Sequence, residues 1–208
     1  MRKKKTWILF YIVLSVCFLD CILTRKLFHN ETMFLSMKQN SQIVSELKYF
    51  PLISEPGNAE TCHYENSWGN SRTYGGNRRH EGTDLMTTEN QRGIYPVISM
   101  TDGTLEQLGW LKLGGWRVGI RSASGVYYYY AHLESYAQDL TEGMSVKAGQ
   151  FLGFAGDSGY GEEGTTGQFD VHLHVGIYIL TETGDKAVNP YPYLKTLEKN
   201  KLYASYLP

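Results

Sequence analysis

From Asp170 to Val175 the chain alternates polar and apolar residues, Asp170-Val171-His172-Leu173-His174-Val175, which is the period of a half-buried β-strand. Side chains two apart on a strand share a face, so Val171, Leu173 and Val175 are predicted to point into a core. His172 and His174 then project together from the other face, about 6.5 to 7 Å apart. Further short apolar runs predict strands at Ile94 to Met100, Val118 to Arg121, Val126 to His132 and Gln150 to Phe154. Thr101-Asp102-Gly103-Thr104 reads as a turn, and Ser122-Ala123-Ser124-Gly125 as the connection of a hairpin. By the same parity, His132 shares a face with Tyr128 and Tyr130. No long amphipathic helix separates these runs, so a parallel βαβ sheet is not expected. The predicted class is mainly β, with an antiparallel sheet.

The N-terminal pattern differs. Arg2, Lys3, Lys4 and Lys5 precede an apolar run from Trp7 to Leu23, broken by Ser15 and Asp20. The basic flank outweighs Arg25-Lys26 on the far side, which orients a membrane span with its N-terminus in the cytoplasm. Leu23-Thr24-Arg25-Lys26 is a poor cleavage site, so an uncleaved signal anchor is favoured over a cleaved signal peptide. The expected organisation is a cytoplasmic tail at 1–6, a transmembrane helix at 7–23, a stalk or linker at 24–67, a β domain at 68–195 and a tail at 196–208. A short helix is predicted around Ser41 to Tyr49, before Pro51 and Glu55-Pro56-Gly57-Asn58 interrupt it. The expected location is the cell membrane, in a single pass, with the domain outside the cytoplasm.

Composition narrows the picture. A net charge of −1 leaves no electrostatic footprint for nucleic acid. Abundant glycine and tyrosine suit short strands joined by tight turns. Cys17 and Cys21 fall within the apolar run, so Cys62 stands alone outside and no intramolecular disulfide can form there. Cys62-His63, in polar surroundings, reads as surface.

Three stretches hold candidate chemistry. Arg79-His80-Glu81-Gly82-Thr83-Asp84 places an imidazole and a carboxylate four residues apart, with a glycine that lets the backbone curl between them. By itself this reads as a surface hydrogen-bonded pair. His80 and Asp84 with one strand histidine, however, make two nitrogens and one oxygen, the donor set of a catalytic zinc site with an open fourth position. Tyr130-Ala131-His132-Leu133 adds a histidine at a strand end, a place that structural histidines also occupy.

Taken in order, His-x-Gly-x-Asp, Tyr-Ala-His-Leu and His-Leu-His resemble the lysostaphin or LytM type of zinc endopeptidase that cuts peptidoglycan peptides. Pro96-Val97 with Asp102-Gly103-Thr104, Val146-Lys147-Ala148-Gly149-Gln150 before Gly153, and Val188-Asn189-Pro190 with Tyr193-Leu194 extend the likeness from about Ser71 to Leu194. The resemblance implies Zn²⁺ as cofactor, with His80, Asp84 and His174 as its ligands. It implies His132 and His172 as catalytic histidines that do not bind metal. It also makes Tyr74, in Ser71-Arg72-Thr73-Tyr74-Gly75, the candidate for a tyrosine that some relatives carry near the oxyanion. The implied fold is an antiparallel sheet crossed by a groove, zinc on its floor, with the loop Asp157 to Gln168 as one wall. The chain departs from many relatives around His-Leu-His, where Asp170-Val171 and Val175-Gly176 replace Gly-Pro and Phe-Glu.

The leading expectation is therefore a membrane-tethered peptidoglycan endopeptidase acting on cross-bridges or stem peptides. The alternative is a cell-envelope interaction protein that docks a partner through the same domain, as in intercellular complexes of sporulation. The partners implied are peptidoglycan peptides, the membrane, and in the second reading an envelope protein.

Overall fold

Glycine-punctuated runs of β-branched and aromatic residues fold into strands that pair with their neighbours in antiparallel fashion throughout. The computed structural model describes residues 22–26, 36–57 and 60–205. In chain order the strands are β1 (Cys62–His63), β2 (Ser71–Arg72), β3 (Arg78–Arg79), β4 (Thr83–Thr87), β5 (Pro96–Ile98) and β6 (Gly103–Leu111). They continue with β7 (Gly115–Arg121), β8 (Tyr127–Tyr136), β9 (Ser145–Val146), β10 (Phe151–Ala155), β11 (His172–Thr181) and β12 (Gly184–Val188), and a helix Tyr191–Leu197 follows. A ten-stranded sheet runs β1-β4-β11-β8-β7-β6-β9, with β12 beside β11 and β10 bridging β8 and β5; β2 and β3 pair separately.

The chain divides into two units, Met1–Gln42 and Ile43–Pro208. The sheet lies in the second. Most of the expected membrane span at 7–23, and the tail at 1–6, lie outside the described residues. Among the described residues no helix is long and apolar enough to cross a membrane.

Alternation places one sheet face in the core. Leu85 on β4, Val118 and Ile120 on β7, Tyr128 and Tyr130 on β8, and Leu173, Val175 and Ile177 on β11 are fully buried. The two tyrosines satisfy their hydroxyls inside: Met100 N–H donates to Tyr130 Oη at 2.8 Å, and Tyr128 Oη donates to Glu46 at 3.1 Å. Buried phenols need such partners.

Some expectations change here. The chain is helical over 36–46, ending short of Tyr49. The segment expected as a stalk supplies Ile43, Phe50 and Leu52 to the core, and Leu52 bridges Val97. The expected tail adds Leu197, and Tyr203 bridges Ser54. Cys62 is not at the surface: it is buried on β1, and burial pushes its thiol up to about 12. Polar neighbours in sequence concealed an edge strand whose inward side chain is this cysteine. The long strand β6 escaped the sequence reading because Gly109, at φ 115°, interrupts its pattern.

Candidate active site

Strand register builds the site. On β11, His172 and His174 stand on the face opposite Leu173 and Val175, and His174 pairs directly with Asp84 on β4. His80 lies just before β4, and is 3% exposed. His80 Nε2 sits 3.1 Å from His174 Nδ1 and 3.1 Å from Asp84 Oδ1, while His174 Nδ1 and Asp84 Oδ1 are 2.8 Å apart. Three donor atoms from three positions thus converge on one point. A set of two imidazole nitrogens and one carboxylate oxygen fits a zinc ion that keeps an open position.

The surroundings orient the set. His80 Nδ1 lies 3.0 Å from the Ser67 hydroxyl, 3.2 Å from the Ser67 carbonyl and 3.0 Å from Arg72 Nη2, contacts that hold the ring with Nε2 toward the cluster. Arg72 Nη2 donates to Asp84 Oδ2 at 2.5 Å. Burial would raise the Asp84 carboxyl, but hydrogen bonds from His174 and His80, with the charges of His174 and His172, hold it well below the usual carboxylate range. Gly82 serves a purpose other than the expected curl. A Cβ there would lie 2.3 Å from His174 Cε1 and 2.7 Å from the Val175 carbonyl, so glycine admits the ring by close approach.

His132 reaches the site against the parity of its strand. Tyr128 and Tyr130 face the core, whereas Tyr127, Tyr129 and Ala131 line the groove. Simple alternation would send His132 inward with Tyr130. The register between β7 and β8 shifts between Trp116–Leu133 and Val118–Tyr130, and His132 takes φ 63°. This bulge turns its ring into the groove, a use to which bulges beside active sites are often put. Its N–H donates to the Gly114 carbonyl at 2.8 Å, holding the unusual backbone. The shared face expected for Tyr128, Tyr130 and His132 is therefore corrected.

His132 and His172 lie with ring centroids 4.7 Å apart, and His132 lies 5.9 Å from His174. His132 Nδ1 meets the Ser158 carbonyl, and His172 Nδ1 the Asp170 carbonyl, both at 2.7 Å. Burial lowers the pKa of both rings; the charges of His172 and His174 add to the effect on His132, and Asp84 offsets part of it for His172. Phe169 packs against both, 4.6 Å from His132 and 5.0 Å from His172.

Tyr74 is 40% exposed, and the groove wall is made instead by Tyr160. The Tyr74 ring stacks on Tyr160 at 4.3 Å and its hydroxyl donates to the Tyr160 carbonyl. Tyr74 thus adjoins Tyr160, which lies 6.1 Å from the His132 ring, and its carbonyl accepts from Arg78 Nε at 3.2 Å. Sequence reasoning passed over Arg72, Ser158, Tyr160 and Phe169. Arg72 lies in the stretch quoted for Tyr74, and Ser158 and Tyr160 in the loop expected as a groove wall, but none of them carries a pattern that marks it.

The model of peptidase family M23 matches residues 78–190, more than half of the chain. The chain belongs to peptidase family M23. It is 42% identical over 136 residues to the L-Ala–D-Glu endopeptidase of Bacillus subtilis (strain 168), a match covering 65% of this chain and 40% of that enzyme. Lysostaphin of Staphylococcus simulans is 30% identical over 115 residues, covering 54% of this chain and 22% of lysostaphin. The chain thus spans less than half the length of these relatives. Among solved structures, a candidate glycyl-glycine endopeptidase LytM from Ruminococcus gnavus superposes with TM-score 0.72 at 52% identity, covering 78% of this chain and 65% of that one. The SpoIIIAH–SpoIIQ complex contains a chain of the same fold, with TM-score 0.52 at 20% identity. The mainly antiparallel sheet is therefore the fold of this M23 family domain.

Proposed function

We propose that this chain is a membrane-anchored zinc endopeptidase that hydrolyses peptide bonds in peptidoglycan. The observation that carries the reading is the convergence of His80, Asp84 and His174 beside the paired rings of His132 and His172. Zn²⁺ would be held by His80, Asp84 and His174, supplying Lewis-acid polarisation of the scissile carbonyl and a bound water with its pKa lowered towards about 7. His132 and His172 each donate Nδ1–H to a backbone carbonyl, which leaves the Nε2 lone pair to accept a proton from the attacking water. Burial keeps both rings neutral near pH 7, as a base requires. A protonated ring then steadies negative charge on the substrate oxygen and returns the proton to the leaving amine. Phe169 restricts both rings, which keeps their orientation between these steps.

The relatives named above include an L-Ala–D-Glu endopeptidase and a candidate glycyl-glycine endopeptidase, so stem peptides and glycine cross-bridges are the two substrate classes considered. The anchor rests on Arg2 to Lys5 before the apolar run Trp7 to Leu23. Partner docking has support only from a likeness of fold, whereas the full donor set and both histidines favour catalysis.

The test uses full-length protein in detergent. One equivalent of zinc, with release of peptide fragments from purified cell wall, is the expected result, and fragment masses name the bond. Protein that retains no zinc and cleaves no wall preparation overturns the reading. Protease added outside intact spheroplasts should digest the β domain; its protection would refute the proposed orientation.

A further inference from the structure

One row of the sheet leads from the metal-site residues to a buried arginine. Asp84 pairs with His174, and His174 pairs with Ala131. Beyond Ala131, the β8 bulge sets Arg117 between the pairs Trp116–Leu133 and Val118–Tyr130. Adjacent strands are about 4.8 Å apart, so the Arg117 backbone lies about 10 Å from that of His174. Arg117, Ala131 and His174 all line the groove, and what stands between the two in that row is the methyl group of Ala131.

Arg117 is 9% exposed. Its Nη2 donates to Gln107 Oε1 at 2.9 Å, and its Nη1 has no partner. No carboxylate among the described residues pairs with it. Glu106 and Asp185, two acids of the groove wall, are both held by Arg121, at 2.6 and 2.8 Å. Arginine stays charged in proteins, and this buried cation, hydrogen-bonded to an amide and bordered by the neutral phenols of Tyr127, Tyr129 and Tyr136, has no opposite charge to compensate it. The compensation missing from the free protein is an anion.

We infer that Arg117 binds a carboxylate of the substrate peptide beside the scissile bond, so that the site selects acidic stem peptides over glycine cross-bridges. This rests on the endopeptidase reading and names the substrate class within it. An extended peptide advances about 3.4 Å per residue, so an acid reaching Arg117 belongs to a residue within about two of the bond. The guanidinium suits a carboxylate through charge-assisted hydrogen bonding.

The experiment compares pairs of stem peptides that differ only in a free carboxylate or a carboxamide, with the pair placed in turn at each residue within two of the scissile bond, and the largest ratio is taken. Cleavage by zinc-loaded full-length protein is measured for the wild type, Arg117→Gln and Arg117→Lys. The wild type should favour the acid by about 10- to 100-fold in kcat/KM, chiefly through KM. Arg117→Gln should bring the ratio close to one, and Arg117→Lys should keep part of it, as a charge without the planar fork. A wild-type ratio of one, or a preference that survives in Arg117→Gln, overturns the inference. Equilibrium binding of both peptides to metal-free protein supplies a readout independent of turnover, and selective binding of the acid is expected there too. Equal cleavage of both peptides leaves the endopeptidase standing while this inference falls; acid-selective binding without cleavage of either does the reverse. If Arg117→Gln does not fold, as judged by circular dichroism, the wild-type and Arg117→Lys ratios decide the matter: an undiminished preference in Arg117→Lys with equal KM overturns it.

Discussion

His132 and His172 sit on neighbouring strands of the sheet with ring centroids 4.7 Å apart, and each ring is pinned through Nδ1 by a backbone carbonyl 2.7 Å away. The carbonyls belong to Ser158 and Asp170, both in loops that border the groove. A neutral ring that donates through Nδ1 has its lone pair on Nε2, so both rings offer the same nitrogen as acceptor, as the proposed role of base requires. They differ from His174, whose Nδ1 faces Asp84 and His80. Two histidines separated by one residue on a strand therefore have different partners and different chemistry.

The division of labour predicts different failures. His172→Ala should retain zinc while turnover falls by about 10²- to 10⁴-fold, the usual weight of a general base. His174→Ala should lose the zinc. Metal analysis and wall-fragment release separate the two, and near-normal cleavage with full zinc in both variants would reject the assignment.

Gly82 predicts a subtler loss. Alanine there would press a methyl against the His174 ring, where Nε2 is 2.4 Å from the Cβ position. Gly82→Ala should weaken zinc affinity by about 10- to 100-fold, as disturbance around ligands commonly does. Competition with a chelating dye measures this; unchanged affinity would mean that the ring moves aside freely.

Acid should destabilise the metal-free protein in a defined window. Burial depresses the folded-state pKa of His132 and His172 below the ordinary value of 6.5. The unfolded chain therefore takes up protons first as pH falls below about 6.5, and the stability present above that value is lost on acidification. Urea unfolding of chelator-treated protein between pH 7.5 and 5 should show this loss, and His132→Gln should reduce its slope. Stability that holds level or rises with acid would contradict the burial effect.

Ser158 is predicted to matter for the frame around His132. Its hydroxyl donates to the Leu133 carbonyl at 2.6 Å and accepts from Trp116 N–H at 3.0 Å, in a fully buried position. Ser158→Ala leaves both groups without that partner and should cost about 1 to 3 kcal/mol. Denaturant midpoints at constant slope give the value, and a change of only a few tenths would show that water or a backbone shift replaces the hydroxyl.

The antiparallel class and the strands around Val118, Val126, Phe151 and His172 were legible because alternation and glycine turns are local signals. The packing of Phe50 and Leu52 was not. Both belong to a short polar-flanked segment whose burial depends on Val97 and other residues far along the chain. The stacking of Tyr74 on Tyr160 was not legible either, because contact between rings from distant positions leaves no trace in spacing.

The sequence by itself determined that His172 and His174 share a face, since residues two apart on a regular strand point the same way. It also determined which donor types could form a metal set. Only the tertiary structure decided that His80 and Asp84 meet His174, because antiparallel register between β4 and β11 brings them together from 90 or more residues apart. It alone decided that His132 turns into the groove. The turn depends on Gly114 accepting its N–H across the strand, on Ser158 receiving its ring, and on a backbone that alternation does not foresee. Period is a property of consecutive residues, whereas a bulge is a property of two strands, and that difference divides what could be read from what had to be seen.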